Sequence, residues 1–159
     1  MDASRNAAEC HMPDLPDELI RTNAILGEYV TIHDAIFKFS WRKALSSIPR
    51  LFKATDFGAH VKDLDRLASS LEEISTALKA APEALEGSHQ YTAALLEAIQ
   101  ALRKICRRFH EQSQGNLSKY PMSEYDADLK SYERLVKTSQ ELGIALNQRF
   151  RDENMLPES

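Results

Sequence analysis

The chain has 159 residues, of which 43% are hydrophobic and 28% charged, with a net charge of −4, five glycines and six prolines. That is the composition of one globular domain able to build a core without metal or disulfide support, and it excludes collagen-like, disulfide-stapled and low-complexity classes. The mildly acidic balance also argues against a general nucleic-acid binder, which needs a basic surface to displace counterions from phosphates.

Strand patterns are absent and apolar residues recur at steps of three and four, so the expected fold is all-α, a four-helix, mostly antiparallel bundle. A polar tail (1–13) carrying Pro13 precedes a bundle over 14–152, and a second polar tail follows at 153–159. Asp14 or Asp17 can cap a first helix over about 15–47, which Pro49 ends by removing a backbone donor. Thr55 or Asp56 caps a second helix over about 56–81, with Phe57, Val61, Leu64, Leu67, Leu71, Ile74 and Leu78 on one face. Gly87 and Ser88 read as a break and a fresh N-cap. A third helix then runs over about 88–114, with Tyr91, Leu95, Ala98, Leu102, Ile105 and Phe109 at four-three steps.

Gly115 and Asn116 stop that helix, and Ser123 with Asp126 resembles a capping box opening a fourth helix over about 123–152. Its stripe is Tyr125, Leu129, Tyr132, Val136, Leu142, Leu146 and Phe150, softened where Ser139 and Gly143 interrupt it. Short connections between the last three helices favour antiparallel neighbours.

The first helix carries two apolar stripes. Leu19, Leu26, Val30, Phe37 and Trp41 form the face a bundle helix needs, while Ile25, Tyr29, Ile32, Ile36 and Phe39 form a second set about 120° round. Leaving the second set bare forgoes about 1.5–3 kcal/mol for each large side chain, so something covers it. One explanation places the helix deep in its own bundle against all three others. The other makes the second stripe a partner surface, and it is the reading adopted: a non-enzymatic interaction module that self-associates or docks another protein. Ile25, Tyr29, Ile32, Ile36 and Phe39 then supply apolar contact, and Trp41, Arg42 and Lys43 anchor it. Lys38, Arg42, Lys43, Arg50 and Lys53, interleaved with Phe37, Phe39, Trp41 and Phe52, also make 37–53 suited to an anionic membrane surface.

Catalytic signatures are sparse. The five glycines form no phosphate-cradling loop, and only Glu86 and His89 match the Glu-x-x-His spacing of di-iron bundles. No metal or cofactor is expected. His33 reads as a hydrogen-bonded core histidine, and Cys10 and Cys106 as reduced thiols outside any ligand spacing. With no membrane-length apolar window, and with Asp2 and Glu9 where a signal peptide has its apolar core, the expected location is cytoplasmic.

On the third helix, Arg103 and His110 lie two turns apart, about 10 Å along one face, with Arg107 between them. This spacing resembles that of the HEPN ribonucleases, also helical bundles. The resemblance implies that Arg103 holds a scissile phosphate and His110 acts as acid or base. Lys104 departs from that family's usual polar residue after the arginine. The competing expectation is that the basic stripe pairs with Glu124, Asp126, Asp128 and Glu133 on the fourth helix.

Overall fold

The computed structural model describes residues 17–43, 56–81, 86–115 and 120–153, with the side chains of 38–43 outside that description. The described residues form four helices: α1 (Asp17–Lys43), α2 (Phe57–Ala80), α3 (Ser88–Ser113) and α4 (Met122–Asp152). Asp56 caps α2 as expected, its carboxylate accepting from the Ala59 amide at 2.9 Å. Ala81 ends it in an extended conformation, the one favoured before a proline.

Two caps differ from expectation. Gly87 is itself the N-cap of α3, at φ 94°, so Ser88 is the first helical residue, its hydroxyl buried without a hydrogen-bond partner. Pro121 precedes α4, which places Ser123 inside the helix rather than at its cap. A proline needs no amide partner there, which makes it well suited to a helix start.

Ring contacts and a small cavity fix the helix directions. At one end Phe57 of α2 stacks on Phe109 of α3 at 5.1 Å, and Phe109 meets Tyr125 of α4 at 5.3 Å. At the other end Leu19 of α1, Tyr91 of α3 and Leu146 and Phe150 of α4 line one cavity. Neighbouring helices therefore alternate in direction, an antiparallel four-helix bundle.

The apolar stripe of α2 is buried or half-buried throughout, as is that of α3, and Leu64, Leu71, Ala98, Ile99, Leu102 and Cys106 have no exposed surface. α3 packs along both α2 and α4, whereas α1 crosses α2 and α3 and meets α4 chiefly through side chains. On α4 the seam runs through Tyr132, Ser139, Leu146 and Phe150, with Gly143 between them and Leu142 on its shoulder.

The assignment of faces on α1 is reversed. Ile25, Tyr29, Ile32 and Ile36, expected at an intermolecular interface, are buried within the chain itself. The first stripe is instead the shoulder, with Leu19 buried, Leu26 and Phe37 half-buried and Val30 exposed. The physical reason is that α1 packs along α2 and α3 and meets α4 chiefly through side chains, so the second stripe is covered within the chain while the first lies at the edge of the packing. The side chains of Phe39, Trp41, Arg42 and Lys43 lie outside the described residues, as does most of 37–53.

Polar rows flank α3. Arg103 and Arg107 reach Asp65 on α2 at 2.8 and 3.9 Å, while Lys104 and Arg108 reach Asp128 and Glu124 on α4 at 3.0 and 2.7 Å. Tyr120 donates to Asp128 at 2.6 Å, and its ring lies 4.4 Å beneath the Arg108 guanidinium. Arg149 closes the opposite end, binding both the carboxylate and the carbonyl of Glu86.

Candidate docking site between the first and fourth helices

Between α1 and α4 the bundle is incompletely filled. Gly143 offers no side chain there, and Tyr91 of α3 comes so close that an added Cβ would lie 3.0 Å from its ring. Past that ring a cavity of ≈ 100 Å³ remains, lined by Leu19, Asn23 and Leu26 of α1 and by Leu146, Asn147 and Phe150 of α4. Its lining mixes apolar side chains with polar groups, the two asparagines among them.

Further along the seam a polar chain ties the helices together. The hydroxyls of Tyr29 on α1 and Tyr132 on α4 share a hydrogen bond, and Tyr132 shares a second with His33 Nδ1 at 2.6 Å. Phe37 stacks on Tyr132 at 5.8 Å and lies 4.8 Å from the His33 ring. His33 is thus hydrogen-bonded as expected, but half-buried at the edge of the core rather than within it.

Four large apolar residues stand exposed. Among the described residues they are Ile20 and Val30 on α1 and Met122 and Ile144 on α4. Residues three and four apart share a helix face. By that rule Ile20 lies near Asn23, Val30 near Leu26 and Ile144 near Asn147, which places three of them beside residues that line the cavity, though none is among its lining. Sequence reading missed this arrangement because it discounted Gly143 and treated the stripe containing Val30 as core.

The ribonuclease constellation is differently engaged. Arg103 and His110 do share a face of α3, but that face is applied to α2. Asp65 takes Arg103, and His110 packs so tightly on Gly58 that a Cβ there would lie 2.8 Å from its ring. A phosphate at Arg103 would have to displace a carboxylate already in place. Of the acids expected opposite the basic stripe, Asp128 and Glu124 are used, whereas Asp65 on α2 supplies the partner for the other two arginines. Glu86 is paired with Arg149. No group of three His, Cys, Asp or Glu side chains comes within ligating reach among the described residues, and no described helix is long and apolar enough to cross a membrane.

Comparison with protein-family models, curated proteins and solved structures finds no match to this chain.

Burial also shifts the acid groups of the core. Desolvation pushes the Cys106 thiol and the Tyr29 phenol up to about 12, and raises Tyr132 and Tyr91 as well. These groups stay neutral in the fold but ionise at lower pH once unfolded, so the stability they favour is complete below their unfolded values. It drains away as pH rises through about 9–12. Urea midpoints should therefore be flat near neutrality and fall steeply from about pH 9. Replacing Cys106 by alanine should shallow that fall, and an unchanged slope would show that the thiol does not contribute to it.

Proposed function

We propose that this bundle is a non-enzymatic interaction module whose docking face is the seam between α1 and α4. The observation that carries the reading is that three exposed apolar side chains, Ile20, Val30 and Ile144, stand near the residues that line the cavity between α1 and α4. Solvated apolar groups beside a concave surface favour a partner that buries them, and two asparagine amides at the cavity provide directional contacts. The ion pairing of Arg103 weighs against the nuclease alternative, since it removes the free cation that reading needs.

The test is a triple variant, Ile20→Lys, Val30→Lys and Ile144→Lys, compared with the native chain. These side chains are 52%, 44% and 71% exposed, so each change should cost no more than about 0.5 kcal/mol of folding stability. Helicity and urea midpoint should stay near native. Association should be lost, read as solution mass by light scattering and as binding of peptides selected against the native bundle from a displayed helical library. A triple variant that associates and binds as the native chain does would overturn the reading.

A further inference from the structure

On the footing of the docking role just proposed, a partner can be specified for the exposed side of α1 that adjoins this seam. α1 contains a glycine that its own fold does not use. A Cβ added at Gly27 meets nothing within 4 Å, yet a glycine inside a helix costs about 0.8–1.0 kcal/mol relative to alanine. One turn on, Val30 stands 44% exposed, and the Thr31 hydroxyl donates back to the Gly27 carbonyl at 3.0 Å. A bare backbone beside an exposed valine is a hollow beside a knob, and an outward-facing glycine allows a second chain to approach closely.

Charge then selects the second chain and its direction. The first turn of α1 is acidic, with Asp17 and Glu18, while its last turns carry Lys38, Arg42 and Lys43. Laid parallel, two copies of α1 would set like charges together. Laid antiparallel about the middle of the helix, they bring each acidic start to the other's basic end, with Asp17 close to the level of Arg42 and Gly27 close to that of Val30 and Thr31. Such a twofold contact uses one patch on both copies and is self-complementary, as a closed dimer requires.

We infer that a second copy of this chain docks on α1, antiparallel, with each Val30 seated over the partner's Gly27. The Ile20 side chains flank the contact on either side. Because its outer pairs are charged, the dimer weakens as salt is added.

The experiment uses the full chain and reads mass by light scattering across a wide concentration range. The native protein should reach twice the 18.0 kDa of one chain. Gly27→Leu fills space that is empty in the monomer and improves helix propensity, so it should fold at least as well while weakening dimerisation roughly tenfold or more. Val30→Asp should do the same. Asp17→Arg alone and Arg42→Asp alone should each weaken the dimer, and the two combined should restore it, which a parallel or unrelated contact would not do.

A native chain that stays at single-chain mass overturns the second copy, while peptide binding by the α1–α4 seam still decides the docking reading separately. A dimer indifferent to Gly27→Leu but lost with Ile144→Lys overturns the α1-to-α1 arrangement and leaves the docking face standing. A dimer indifferent to both, with peptide binding untouched by the triple variant, overturns both.

Discussion

Ile32→Asp is expected to unfold this chain. Ile32 is 8% exposed within a cluster that includes Tyr29, Ile36 and the inner residues of α2 and α3. Substitution removes most of the ~2–3 kcal/mol gained by burying a large aliphatic side chain. It also leaves a carboxyl group among apolar neighbours, where it must either shed its charge or stay ionised without a partner. The combined cost of about 4 kcal/mol or more compares with a total stability of ~5–15 kcal/mol for a domain of this kind. Circular dichroism should show lost helicity or a urea midpoint displaced far below native. Val30→Asp, two residues earlier and on the other side of α1, should leave the fold intact. If Ile32→Asp were as well folded as Val30→Asp, the second stripe would not be core.

The second large effect is expected at Tyr132, the side chain on which α1 and α4 meet. It is 1% exposed, stacks on Phe37 and shares hydrogen bonds with Tyr29 and His33. Tyr132→Ala should cost about 3–5 kcal/mol, the usual range when a buried aromatic is cut to a methyl. Tyr132→Phe keeps the ring but deprives the buried Tyr29 hydroxyl of its partner, which should cost about 1–3 kcal/mol. Equilibrium urea unfolding of both variants separates packing from hydrogen bonding. Equal losses would mean that the hydroxyl accounts for the whole effect and the ring adds nothing, and no loss for Tyr132→Phe would mean that the polar chain contributes nothing.

The architecture was legible because α2 and α3 each have one dominant apolar stripe. Phe57 to Leu78 and Tyr91 to Phe109 are spaced so regularly that only one face can turn inward. The Asp56 cap was legible for the same local reason. On α1 the pattern was ambiguous, since two stripes of similar size say how much surface is covered but not by what. The reversal at Ile25, Tyr29, Ile32 and Ile36 came from assuming that a bundle helix presents a single stripe.

The seam itself was largely hidden. Gly143 matters through the side chain it lacks, and an apolarity scan passes over it in favour of Leu142. The chain from Tyr29 to Tyr132 joins residues 103 positions apart, and nothing in local spacing pairs them. His33 could be read as hydrogen-bonded in a core, but its partner could not. Asp65 was missed as a partner for Arg103 because attention went to the acids of the fourth helix, although an arginine pair on α3 can turn to either neighbour.

That division of the basic residues bears on how the bundle avoids misalignment. Apolar seams are forgiving, because sliding one helix past another by a turn, about 5.4 Å, still brings hydrophobic groups opposite hydrophobic groups. The two charged rows of α3 are not. Displacing α3 by one turn would leave Asp65 with a single arginine on one flank and break one of the two rungs to Asp128 and Glu124 on the other, while drawing Arg108 away from the Tyr120 ring. Each pair is partly solvated and adds only ~0–1 kcal/mol to stability. What they contribute together is axial alignment, a two-sided ratchet that distinguishes the native stacking of helices from its one-turn neighbours.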